Sequence, residues 1–264
     1  MTYRVRFLQR RTRLSKTIFS VTYHQSERIR PNGHLYLLNY LESLRKHSEF
    51  SFGVVVVDNE SEIDLREAIK KNDFDFVEDY IRVEDQSVSG LTGAWNVGIE
   101  RASQLGDLVI NTNEDLTFNK SINSFVSDIL LDKDRDMSIY GPMTNGVSQS
   151  AHPDQYLADG NIRDEGLVSL STSKKADGVW EKVLNGFFLG FTSNFYHKFK
   201  TNGDLFPIQH ENNRGDGKWG GQEGIMIEWF EKGATCKVVP RCWINHIKDR
   251  TYRKARYLYG DGGL

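Results

Sequence analysis

Cysteine is nearly missing from this chain, with only Cys236 and Cys242 among 264 residues. Two thiols six residues apart make no disulfide framework, and without a close histidine pair they are a poor zinc site. Both read as reduced core residues. No run of about 18 apolar residues occurs, so no transmembrane helix is expected. Arginines near the amino terminus have no apolar stretch behind them, which is not the pattern of a secretory signal. The expected compartment is therefore cytoplasmic. An excess of charge of one sign is also missing. The formal net charge is −2, and no global field points to nucleic acid as a partner. Internal repeats and low-complexity tracts are absent too.

Aromatic residues are plentiful. The 15 Phe, 11 Tyr and 5 Trp offset a modest aliphatic content and can fill a sizeable core at this length. Charge is concentrated at the start, where Arg4, Arg6, Arg10, Arg11, Arg13 and Lys16 form a basic arm over residues 1–16. It reads as a solvated terminus or as a contact to an anionic surface, including peripheral contact with a membrane.

Hydrophobic periodicity predicts a strand over 17–23 and a helix over 32–47 carrying Leu35, Leu38, Leu41 and Leu44. The β-branched run at 52–57 reads as a strand buried on both faces. A helix over 62–71, capped by Ser61, a strand region at 74–83, a helix over 91–105 and a strand at 107–112 follow. The stretch 120–131 is amphipathic, with Ile122, Phe125, Val126, Ile129 and Leu130 on one face. This alternation predicts an α/β fold with a mostly parallel sheet. The remainder is less regular: polar, Gly-rich loops over 144–180, a strand at 185–191, a short helix at 193–200 and a long polar loop over 203–221. A helix over 222–232, a strand at 235–240 and the segment 243–246 complete the pattern.

Chemistry concentrates where strands end. Leu108-Val109-Ile110 runs into Asn111-Thr112-Asn113-Glu114-Asp115. Carboxylates at the carboxyl end of an α/β strand sit where ligands bind. They can hold a hard divalent cation, which in turn can hold a diphosphate, and this pattern suggests a nucleotide-sugar transferase. The competing reading is an acidic turn. Asp58-Asn59 ends the second strand and suits either a nucleoside contact or turn chemistry. Gly90 to Gly98 (GLTGAWNVG) opens a helix whose amino end favours anions, or whose small residues pack tightly on the sheet. It lacks the GxGxxG spacing of a dinucleotide site. In Trp219-Gly220-Gly221-Gln222-Glu223, Glu223 is a candidate general base toward an acceptor hydroxyl, or an acid well placed at a helix start. Trp219 can stack on a sugar or bury. His246 is a metal ligand or a packing residue. Lys248, Arg250, Arg253 and Lys254 follow it, as a solvated tail or as countercharge for a diphosphate.

Taken in order, these segments resemble the GT-A glycosyltransferases. Val54 to Ser61 is similar to the VVDNGS strand end of family 2 enzymes. Gly93 to Ala102 (GAWNVGIERA) is similar to their AxNxGxxxA helix start. Leu108 to Asp115 (LVINTNED) resembles the strand ending in their DXD-type metal motif. Trp219 to Glu223, followed by Val238-Val239-Pro240 and His246, resembles the polypeptide N-acetylgalactosaminyltransferases and the β-1,4-galactosyltransferases. Two departures stand out: Asn113 occupies the first DXD position, and Gln222 stands where an acid is usual.

The resemblance implies one GT-A domain over 1–264, with a nucleotide-sugar half at 17–131 and an acceptor half at 132–250. It implies Mn2+ or Mg2+ held by Asp115 and His246, and a UDP-sugar as the foremost donor. Thr22, Tyr23, Asp58, Asn59, Gly93, Asn96, Asn113 and Glu114 would contact that donor. Trp219, Gly220, Gly221 and Gln222 would contact a glycan or glycoconjugate acceptor, and Glu223 would be the base of an inverting transfer. Two rivals remain. One is a non-catalytic glycan- or nucleotide-sugar-binding module on the same fold. The other is a nucleotidyltransferase, disfavoured because Tyr23 to Arg28 (YHQSER) lacks a glycine-rich loop after the first strand.

Overall fold

Val54, Val55, Val56 and Val57 are completely buried, as a β-branched run covered on both faces of a sheet requires. The computed structural model describes residues 16–28, 30–84, 86–147, 149, 152–158, 160–170, 173–174, 180–181, 183–208 and 225–247. The strands are β1 (Thr17–Tyr23), β2 (Phe52–Asn59), β3 (Val77–Val83), β4 (Leu108–Asn113), β5 (Leu116–Thr117), β6 (Ser138–Thr144), β7 (Val168–Ser169), β8 (Ser173–Lys174), β9 (Trp180–Glu181), β10 (Phe188–Thr192) and β11 (Thr235–His246). The helices are α1 (Gly33–His47), α2 (Arg66–Lys71), α3 (Gln86–Leu105), α4 (Ile122–Leu131), α5 (Ser193–Phe199) and α6 (Ile225–Glu231).

The main sheet has the order β3-β2-β1-β4-β10-β6-β11-β5, with β7 also on β11. β3, β2, β1 and β4 are parallel, β10 is antiparallel to both β4 and β6, and β11 is parallel to β6. The carboxyl ends of β1, β2, β4, β6 and β11 therefore share one edge. One face is covered by α1, α2 and α4 through Leu37, Tyr40, Leu44, Ile69, Phe125 and Ile129. The other is covered by α3, α5 and α6 through Trp95, Ile99, Phe195, Met226 and Trp229. This is the predicted α/β fold, a central sheet flanked by helices. Cys236 and Cys242 are buried free thiols within it, and burial raises the Cys236 thiol to about 12. No helix of the described residues is long and apolar enough to cross a membrane.

Several local expectations change. The α1 core stripe is Leu37, Tyr40, Leu41 and Leu44, while Leu35 is about half exposed at 48%. Helix α2 starts only at Arg66, and Ser61 does not cap it. Asp58 Oδ1 accepts the Ser61 amide at 2.8 Å, which commits 58–61 to a tight turn. The Ser61 hydroxyl instead accepts the Gln25 amide at 3.0 Å. Helix α3 is broken at Gly90, whose φ of 59° and ψ of −160° suit a residue without Cβ. Strand β6 has no counterpart in the sequence reading because Gly141 and Pro142 interrupt it. Proline is tolerated there because pairing with β10 is confined to Tyr140 opposite Gly190. The segments 235–240 and 243–246 form one strand, β11, joined through a bulge between Val239 and Trp243.

Candidate functional site

The shared carboxyl edge gathers side chains from distant parts of the chain. His246, the last residue of β11, pairs with Leu116 of β5, and the Ile247 amide donates to the Asp115 carbonyl at 2.9 Å. This registration brings His246 Nε2 to 3.2 Å from Asp115 Oδ2. The imidazole stacks on Phe187, with ring centroids 4.9 Å apart and planes 12° apart. The His246 amide donates to Asn145 Oδ1 at 2.9 Å. Gly146 lies directly against the ring, and a Cβ there would come within 2.1 Å of His246 Nδ1. Asn145, Gly146 and Phe187 thus fix the ring, and none of them was singled out from sequence.

Arg30 is the other residue that the sequence reading passed over. Its nearly buried guanidinium places Nη2 at 2.9 Å from Asp115 Oδ2 and Nε at 3.3 Å from Glu114 Oε1. Both carboxyls are buried as well. Glu114 also accepts the His24 amide at 3.3 Å. Burial pushes the Glu114 carboxyl up to about 7, against the opposing pull of Arg30. Burial raises Asp115 too, but the His246 hydrogen bond and the Arg30 charge outweigh it and bring that carboxyl to about 2. Asp115 is thus the durable anion of the pair.

At the end of β2 the two readings of Asp58 can be compared directly. The buried carboxylate accepts from the Ser61 amide, from the Tyr80 hydroxyl at 3.0 Å and from Arg82 Nη1 at 2.7 Å. Turn chemistry and an ion pair occupy it. Asn59 presents a buried Oδ1 with no hydrogen-bond partner among the described residues, while its carbonyl accepts from His24 Nδ1 at 2.9 Å. Burial lowers the His24 imidazole below its ordinary value, which favours the neutral ring.

The remaining donor candidates divide. Tyr23 is fully buried in the core and its hydroxyl donates to the Ile63 carbonyl at 3.0 Å, so its ring serves packing. Asn96 uses both ends of its amide on the Phe206 backbone, at 2.8 and 3.0 Å. It anchors that loop rather than facing the edge. Asn113 Oδ1 accepts from the Trp95 indole at 3.1 Å. Gly93 is buried in α3. Gly98 supports the tight-packing reading of this helix, because a Cβ there would meet Ser20 Oγ at 2.2 Å. Thr22 Oγ1, Ser20 Oγ and both amide atoms of Asn111 are buried without partners among the described residues. Ser20 and Asn111 are register neighbours on β1 and β4, which makes a polar seam suited to ordered water. Trp219, Gly220, Gly221, Gln222 and Glu223, with Lys248, Arg250, Arg253 and Lys254, lie outside the described residues.

Among the described residues no group of three or more His, Cys, Asp or Glu side chains could hold a metal ion. Asp115 and His246 nevertheless suit a divalent ion that takes its other ligands from substrate and water. They offer an oxygen and an imidazole nitrogen side by side, and Asp115 Oδ1 is buried with no hydrogen-bond partner among the described residues.

With five strand ends converging on this corner, the protein has the fold of the GT-A glycosyltransferases. GalNAc-T7, solved with UDP, GalNAc and Mn2+, matches with a TM-score of 0.62 at 16% identity, over 88% of this chain and 44% of that one. S. aureus TarS 1–349 matches at 0.53 and 14%, over 93% of this chain and 64% of that one. Its complex with UDP-GlcNAc matches at 0.54 and 13%, over 90% and 60%. The chain thus spans less than two thirds of the length of these structures. No protein-family model matches it, and no curated protein matches it in sequence.

Proposed function

We propose that the chain is a metal-dependent glycosyltransferase that moves a sugar from a nucleotide-diphospho-sugar, foremost a UDP-sugar, to an acceptor hydroxyl. The observation that carries this reading is the pairing of Asp115 Oδ2 with His246 Nε2 at 3.2 Å. These residues lie 131 positions apart, yet they meet at the strand edge where α/β folds bind ligands. The crystallised complexes of GalNAc-T7 with UDP and Mn2+ and of TarS with UDP-GlcNAc support the donor class. Residues 17–131 hold the nucleotide sugar in this reading, and 132–250 face the acceptor.

Asp115 and His246 would hold Mn2+ or Mg2+. When bound, the ion supplies Lewis-acid charge that steadies a departing diphosphate. Asn59 offers its unpartnered amide oxygen to the nucleoside, and Thr22 and Asn113 line the same edge. Asp58 shapes the turn that presents Asn59. Asn96 acts through the loop at Phe206. Glu223 takes the proton from the acceptor hydroxyl, whose oxygen attacks the anomeric carbon opposite the leaving diphosphate, and the sugar is inverted. Trp219, Gly220, Gly221 and Gln222 contact the acceptor in this reading.

The test is thermal denaturation with UDP-, GDP-, dTDP- and CMP-sugars, each with and without Mn2+. The expected result is a rise in Tm with a UDP-sugar that requires Mn2+ and is lost in Asp115→Asn. Glu223→Gln is expected to keep that rise and lose transfer. An Asp115→Asn protein that still responds to donor plus Mn2+ would overturn the metal assignment, and retained turnover in Glu223→Gln would remove Glu223 as the base.

A further inference from the structure

Arg30 lies in the proposed metal corner, and neither the sequence motifs nor the proposed chemistry has a use for it. The guanidinium is nearly buried, 2.9 Å from Asp115 Oδ2 and 3.3 Å from Glu114 Oε1. The same Oδ2 lies 3.2 Å from His246 Nε2. The Tyr36 ring packs against the guanidinium, with Cζ 5.4 Å from the ring centroid. Among the described residues, the two buried carboxyls and one guanidinium gathered here carry at most one net negative charge. A divalent ion taken by Asp115 and His246 would leave this buried corner with an excess of positive charge next to a guanidinium on a shared carboxylate. Like charges so close in a low-dielectric site oppose each other strongly.

Building on the glycosyltransferase reading, we propose that Arg30 is the resident counter-cation of Asp115 and Glu114 and competes with the divalent metal for Asp115. Metal alone is then held weakly. The diphosphate of the donor supplies the missing negative charge, so metal and donor are taken up together. Arg30 is in this sense a positioning residue for cofactor loading: it offsets one of the two carboxylate charges of the corner until substrate arrives. The coupling is reciprocal, so metal strengthens donor binding by the same factor that donor strengthens metal binding.

The experiment measures Mn2+ binding to the full chain by titration calorimetry and by loss of the free Mn2+ resonance, with and without UDP. It compares wild type, Arg30→Gln, Arg30→Lys, Tyr36→Leu and Asp115→Asn. Arg30→Gln is expected to bind Mn2+ alone at least about fivefold more tightly than wild type, the lower range of allosteric couplings, and to gain less from UDP. Arg30→Lys keeps the charge and should stay near wild type. Tyr36→Leu loosens the guanidinium without removing it and should show a smaller gain. Should Arg30→Gln fail to fold, the Tyr36→Leu gain decides the matter in its place. Unchanged or weaker Mn2+ binding in Arg30→Gln and Tyr36→Leu, with binding still lost in Asp115→Asn, overturns the competition and leaves the metal site intact. Mn2+ binding that ignores Asp115→Asn overturns the glycosyltransferase metal assignment itself, and the role of Arg30 with it.

Discussion

Gly146→Ala should dismantle the His246 corner without touching a proposed ligand. A Cβ at this position would lie 2.1 Å from Nδ1, 2.3 Å from Cβ and 2.5 Å from Cγ of His246, whereas ordinary contact begins near 3.4 Å. The ring must therefore give way by roughly 1 Å or more, beyond the tolerance of a packed site. Its retreat is blocked on one side by Phe187, stacked at 4.9 Å. The backbone is pinned by the bond from the His246 amide to Asn145 at 2.9 Å. Relief of the clash with Cβ requires the whole side chain to shift with its backbone, which breaks the 3.2 Å contact to Asp115. Overpacking of this kind costs about 1–3 kcal/mol. Displacing a group that orients a metal ligand typically costs about 10–100-fold in metal affinity. Urea denaturation and Mn2+ titration in the presence of UDP measure the two effects. A double-mutant cycle with His246→Gly, which removes the imidazole and the Cβ that the new methyl group meets at 2.3 Å, isolates the cause: Gly146→Ala should then cost little further stability. A folded Gly146→Ala protein with wild-type metal affinity, or costs that simply add in the double mutant, would refute the steric reasoning.

Three further outcomes are expected. Gly98→Ala should lower stability by about 1–3 kcal/mol, because its Cβ would meet Ser20 Oγ at 2.2 Å and Val57 Cγ2 at 2.7 Å; an unchanged urea midpoint would mean that α3 does not pack there through Gly98. Asp58→Asn should cost about 1.5–3 kcal/mol by weakening charge-assisted bonds to Tyr80 and Arg82. Loss of UDP binding at an unchanged urea midpoint would instead place Asp58 on the ligand. Glu114 has a folded-state value raised from 4.5 to about 7 by burial. The folded protein holds that proton more tightly than the unfolded chain, so its stabilising contribution is complete below 4.5 and fades as pH rises through about 7. Glu114→Gln, permanently neutral, should therefore gain in Tm relative to wild type between about pH 5 and about pH 8, and parallel Tm curves would contradict this.

The parts of the fold that sequence revealed were those in which one physical signal dominated. β1 matches its predicted span because seven consecutive residues are buried on both faces. The valines of β2 left no alternative for a strand. Errors arose where a local interaction overrode the pattern. The charged stretch 62–71 looks helical throughout, but the Asp58 carboxylate captures the Ser61 amide and delays the helix to Arg66. In β6, Gly141 and Pro142 read as breakers. The strand survives because its ladder to β10 is confined to one residue pair and because β11 runs alongside it in parallel.

The site divides along a similar line. Asp115 and His246 stood out in the order of motifs, since Asp115 lies two residues after β4 and His246 ends β11, and strand ends are set by hydrophobic patterning. Arg30 and Gly146 did not, because their importance depends on what loops meet. The stretch Ser26-Glu27-Arg28 leading toward Arg30 has the composition of a solvated surface segment. Glu27 and Arg28 do stay exposed, but Arg30 turns inward because the loop after β1 is stitched to the loop after β2: His24 Nδ1 donates to the Asn59 carbonyl at 2.9 Å, the Gln25 amide to Ser61 Oγ at 3.0 Å, and the Glu62 amide to the Gln25 carbonyl at 2.9 Å. Those bonds turn the chain back over the strand edge and carry Arg30 onto Asp115. A charge that sequence assigns to water is thereby buried against two carboxyls, where removing it should alter the affinity of the corner for cations.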